Sequence, residues 1–181
     1  MAHISRDFPF FSRRKDSLAL DILFGAAGGA LATWLMGYIM EGTSKALPEK
    51  LQKQSVKPTP PQDEGATEKV ARTLLVPVGI PLQGEQKRKA GLAVHWTYGI
   101  TWGALYGAMH HVSPLTGKLF GLGFGLGLFV FGDELLIPAL KLGPTPLETP
   151  TAVHLSALVG HLAYGGITEA SFRLLRRARN A

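Results

Sequence analysis

Four long apolar stretches constrain this chain more than any other feature. They cover residues 18–40, 90–110, 118–140 and 152–172, and each has 21 to 23 residues. The hydrocarbon core of a bilayer is about 30 Å thick and takes about 20 residues of helix, so every stretch is long enough to cross it. Most of the charge and all but one of the 12 prolines lie outside them. A soluble globular domain does not fit this pattern. The pattern predicts an all-α, polytopic membrane protein with four transmembrane helices in a Gly-rich bundle.

The first stretch is too long for a secretory signal, whose apolar core has about 7–15 residues. It ends in Met40-Glu41-Gly42 without a small-residue cleavage site, so it reads as a retained span. Residues 1–17 form a basic N-terminal arm with an aromatic cluster at Phe8, Phe10 and Phe11. Residues 41–89 form a polar, Pro-containing loop whose Lys57-Pro58-Thr59-Pro60-Pro61 run has linker composition. Within that loop, 66–76 fits a short amphipathic helix with Val70, Leu74 and Leu75 on one side and Pro77 as its stop. Such a helix would lie on the membrane surface or cap the bundle; a simple loop is the other reading. The turn at 112–117 is short, so the second and third spans are antiparallel neighbours. Thr149-Pro150 suits the start of the fourth span, and 173–181 is a basic C-terminal tail.

Lys and Arg number 19 against 13 Asp and Glu, a formal net charge of +6. In a soluble protein this would suggest nucleic acid. Here the bases gather beside the spans, in Arg13-Arg14-Lys15, in Lys87-Arg88-Lys89 and in Arg173, Arg176, Arg177 and Arg179. Juxtamembrane clusters of this kind meet anionic lipid headgroups and set topology, so lipid and not nucleic acid is the expected partner. Four crossings put both termini on one side, and their dense basic flanks favour the cytoplasmic side. The absence of Cys excludes disulfides, thiolate metal sites and a cysteine nucleophile.

Glycine recurs at steps of four in every span: Gly25 and Gly29; Gly99, Gly103 and Gly107; Gly117, Gly121 and Gly125, with Gly123 and Gly127 alongside; and Gly160, four residues after Ser156. That step keeps residues on one helix face, where glycine lets backbones approach closely. Ionisable residues at depth are the second pattern, since they are costly in lipid and turn toward one another. With alternating spans, His95, Asp133, Glu134, His154 and His161 fall in one half of the membrane. His110, His111, Glu169 and Arg173 fall in the other, and Glu169 and Arg173 stand at an i,i+4 ion-pair spacing. Asp21, near the start of the first span, is expected to reach back to water.

From His95 to Arg177 the chain resembles the YagU-like family of bacterial inner-membrane proteins, which has no assigned molecular activity. The resemblance rests on His95 opening a Gly/Tyr span through Tyr106, and on Pro114 in the following turn. It continues through the Gly-rich third span ending at Pro138, the Gly143-Pro144-Thr145-Pro146 segment, Gly160-His161, Glu169 and Arg176-Arg177. It implies a multi-pass inner-membrane protein with His95, His161 and Glu169 at matching positions, and supplies no reaction.

The leading functional reading is a tightly packed structural or interaction bundle, associating with itself or with a membrane-protein partner, whose buried His/carboxylate cluster fixes helix register. The alternative is a proton relay or ion-conducting protein that uses the same cluster, because imidazole titrates near neutral pH. Metal and haem are disfavoured: His154 and His161 stand two helical turns apart, and no Glu-x-x-His spacing occurs. No cofactor and no enzyme activity is therefore expected. A nucleophile with a base is conceivable, for example Ser156 with His95 or His161, but no Gly-x-Ser-x-Gly setting occurs.

Overall fold

The structure is a computed structural model that describes residues 17–55 and 64–181, and every regular element among them is helical. The Phe8, Phe10 and Phe11 cluster, the Arg13-Arg14-Lys15 run and the prolines at 58, 60 and 61 lie outside the described residues. The elements are α1 (Leu18–Ala46), α2 (Glu49–Ser55), α3 (Ala66–Leu75), α4 (Gly84–Val112), α5 (Leu122–Leu128), α6 (Ile137–Ala139) and α7 (Thr151–Asn180), with a π-helical stretch, Phe129–Leu136, between α5 and α6. Two helical segments, Leu18–Ala46 and Leu115–Ala139, are long and apolar enough to cross a membrane. Helices α4 and α7 match them in length, at 29 and 30 residues, but carry more Gly, His, Thr and Tyr.

Three long helices outrun the apolar stretches that mark them. Helix α1 continues six residues past Met40, where Lys45 and Glu41 pair at 2.6 Å across one turn. Helix α4 begins at Gly84, so Lys87, Arg88 and Lys89 are helical, and Arg88 pairs with Glu85. The residues read as a C-terminal tail, 173–180, are the last two turns of α7. Helix α3 forms where the amphipathic pattern indicates and stops at Leu75, ahead of Pro77.

The third stretch departs most, because it is not one helix. Leu119, Phe120 and Gly121 have φ of 55°, 54° and 73°, a left-handed run that costs energy at the two residues bearing a Cβ. Helix α5 follows, then the π stretch. Its cause is legible: Pro138 has no N–H to give, and its ring crowds the carbonyl four residues back. The ladder widens to accommodate it, and Ile137 N–H reaches Gly132 O, five residues away.

Helix α1 lies antiparallel against both α4 and α7, and α5 lies against α7. Glycine sets the closeness. A Cβ on Gly103 would stand 2.7 Å from Gly29 Cα, one on Gly25 2.7 Å from Gly107 N, one on Gly107 2.7 Å from Asp21 C, and one on Gly99 3.0 Å from Thr33 Cβ. A Cβ on Gly125 would meet the His161 backbone, one on Gly121 the Gly165 backbone, and one on Gly160 the Met36 and Met40 side chains. Gly123 and Gly127, by contrast, have nothing within 4 Å.

Candidate functional site

The ionisable residues gather at the two ends of the helix assembly, and the ends differ. At the end bearing the start of α1 and the finish of α7, two carboxylates of the described residues, Asp21 and Glu169, are enclosed. Asp21 is fully buried, with His111 Nδ1 at 2.8 Å and Arg176 Nε at 3.6 Å from its oxygens. This corrects the expectation that it reaches water: it sits one turn before Gly25, on the face of α1 that α4 covers. Glu169, also fully buried, accepts from the Tyr106 hydroxyl and from Arg173 Nε, while Arg173 Nη2 donates to Gly117 O at 2.9 Å. The His110 ring packs on the buried Phe172 ring at 4.6 Å, and the Phe120 ring lies 4.9 Å from the Arg173 guanidinium. Of the expected second group, His110, Glu169 and Arg173 are therefore brought together, whereas His111 turns to Asp21.

At the opposite end the five expected residues meet, but unequally. His154 Nδ1 lies 2.7 Å from Glu134 Oε1, and its Nε2 donates to Pro146 O at 2.9 Å. With Nε2 protonated, the Glu134–Nδ1 contact holds one further proton, so this pair is satisfied. His161 Nδ1 donates to Ala157 O at 2.9 Å and stands 3.6 Å from Asp133 Oδ2, beyond hydrogen-bond length. The π stretch makes this pairing possible. It presents the adjacent Asp133 and Glu134 to two histidines that are seven residues apart on α7. Ser156, the conceivable nucleophile, is bonded to Ser44 Oγ at 2.9 Å, with no histidine beside it.

His95, Asp133 and His161 share the wall of a cavity of about 430 Å³. The rest of that wall is mostly apolar, with Met36 and Met40 from α1, Val94, Tyr98 and Trp102 from α4, and Leu128, Leu136 and Ile137 from the third stretch. Helix α3 adds Ala66, Thr67 and Val70 to the wall and packs against α4. Its docking is fixed by Ala71, which is buried, and by Glu64, which accepts from Arg72 Nε at 2.9 Å and lies 3.5 Å from Lys87 Nζ of α4. The Arg72 hydrogen bond, with Lys87 adding to it, holds the Glu64 carboxyl below the usual carboxylate range. No three His, Asp or Glu side chains among the described residues gather closely enough to hold a metal ion.

The profile of a family described as proteins of unknown function, DUF1440, matches residues 39–170. The chain belongs to the DUF1440 family. No curated protein and no solved structure gives a match. Within this DUF1440 chain, the matched segment takes in His95, Asp133, Glu134, His154 and His161, while Asp21, Arg173 and Arg176 fall outside it. Sequence reasoning missed Tyr106 as a partner of Glu169, and Tyr164, whose hydroxyl donates to Gly99 O at 2.5 Å. Each lies on the glycine-bearing face of its helix, Tyr106 three residues after Gly103 and Tyr164 four after Gly160. That placement was the available signal.

Proposed function

We propose that this chain is a YagU-like, four-span protein of the bacterial cytoplasmic membrane, with both termini on the cytoplasmic side. In this reading the termini end is a fixed clamp and the opposite end a binding cavity for a small apolar molecule. The antiparallel order of α1, α4, the third stretch and α7 supports four crossings. So do the apolar residues on their outer faces: Leu23, Leu105, Val130 and Val159 are exposed, as lipid contact requires. Glycine contacts and the enclosed Asp21 and Glu169 groups give a tightly packed Gly-rich bundle its rigidity, and the basic flanks meet anionic lipid.

The observation that carries the binding reading is the cavity itself. At about 430 Å³ it falls within the range of small-molecule sites, with mostly apolar walls and a few convergent polar groups. A proton relay is less well supported, because the rings of Trp102, Phe124 and Tyr164 stand between the two ionisable ends. The test uses adamantan-1-ol as a compact apolar probe on the purified chain in detergent. It should raise the melting temperature of the wild type but not of Val94→Trp, which fills the cavity. An equal rise in both would mean that the probe only enters the micelle, and the binding reading would fall.

A further inference from the structure

Inside the cavity, one carboxylate is left without a hydrogen-bonding partner. Four acidic groups lie within the four apolar stretches, and three of them are engaged: Asp21 by His111, Glu169 by Tyr106 and Arg173, and Glu134 by His154. Asp133 accepts no hydrogen bond among the described residues: His161 Nδ1 stands 3.6 Å away and already gives its hydrogen to Ala157 O at 2.9 Å. The Asp133 side chain is 30% exposed, so it is reachable. A carboxylate in such surroundings calls for a cation, and no Lys or Arg side chain among the described residues is paired with it.

Resting on the cavity as a binding site, we propose that its ligand is an apolar molecule carrying one protonated amine, with Asp133 as the counter-ion that receives the amine. The chemistry of the wall selects this class. An ammonium group donates to the Asp133 carboxylate and to the Nε2 lone pair that His161 keeps when its Nδ1 proton is committed to Ala157 O. Tyr98 and Trp102, in edge contact at 5.9 Å within the same wall, offer aromatic faces to a cation. Met36, Val94, Leu128 and Leu136 take the apolar body. An anionic headgroup would meet Asp133 as a like charge, and a neutral one would leave the carboxylate unmatched.

The test compares one apolar cage with three headgroups, adamantan-1-amine, adamantan-1-ol and adamantane-1-carboxylate, by calorimetric titration of the full chain in detergent at pH 7. The amine should bind at least about tenfold more tightly than the alcohol, the ratio expected of a charge-assisted hydrogen bond. The carboxylate should not bind measurably. Asp133→Asn should bring the amine down to the affinity of the alcohol and leave the alcohol unchanged, while Asp133→Glu keeps the preference for the amine. Should Asp133→Asn fail to fold, the order of the three headgroups on the wild type decides alone. If the alcohol equals the amine on the wild type, or Asp133→Asn changes nothing, the charge assignment is overturned and the cavity reading stands. If none of the three binds, both fall.

Discussion

Glu169 shows how a single residue ties the termini end together. It has no contact with solvent, and its oxygens are taken by the Tyr106 hydroxyl from α4 and the Arg173 guanidinium one turn along α7. Replacing it with Leu removes the acceptor from both. Arg173 keeps a side chain 41% exposed and recovers some hydration, so the cost should be about that of unsatisfied buried polar groups, roughly 1–3 kcal/mol. Thermal unfolding in detergent measures this, and a Glu169→Leu protein as stable as the wild type would remove the clamp from the reading. The Glu169–Arg173 pair was legible in the sequence because i,i+4 spacing on a helix is a local relation. Asp21 was not: its burial follows from α4 and α7 closing over it, and its partner His111 lies 90 residues away.

At the scale of elements, glycines with the same sequence pattern divide into two kinds. Gly103 faces the α1 backbone, whereas Gly127 faces nothing within 4 Å. Gly103→Ala should therefore destabilise by about 1–3 kcal/mol through overpacking. Gly127→Ala should be neutral or stabilise by up to about 1 kcal/mol, since alanine favours helix. Melting curves of the two variants decide it, and equal curves would mean that the α1–α4 contact is not set by glycine. Step-of-four glycine was visible in the sequence for both, but which face meets a partner depends on how the helices are rotated. The same limit hid the third stretch. Hydropathy reads 118–140 as one span, and nothing apolar or polar in Leu119-Phe120 announces a left-handed run. Pro138 was visible as a stop, while its upstream effect, the π stretch that sets Asp133 and Glu134 against α7, is a matter of backbone hydrogen bonding.

At the scale of the whole molecule, the alternation of the long helices makes a topological prediction. The chain has no Cys, so single cysteines at Ala66, Ser113 and Ala181 report cleanly to an impermeant thiol reagent. Ser113 and Ala181 should label from one side and Ala66 from the other; labelling of 66 and 113 from the same side would sink the four-span reading. The all-helical character and the places of α1, α4 and α7 were legible because long apolar runs are separated by polar segments. The cavity was not, because it depends on α3 folding back onto α4 and on the rotation of the helices that line it. One further property follows from the left-handed run at Leu119–Gly121. The helical part of the third stretch, residues 122–139, has 18 residues and reaches at most about 27 Å at 1.5 Å per residue, while α1, α4 and α7 each have 29 or 30. In a bilayer about 30 Å thick, the four-span reading would have lipid tails beside that helical part shorten more than those around α1. A four-span protein would then sit in a dimple that is deeper on one flank, with headgroups and their water drawn down that flank toward the π stretch.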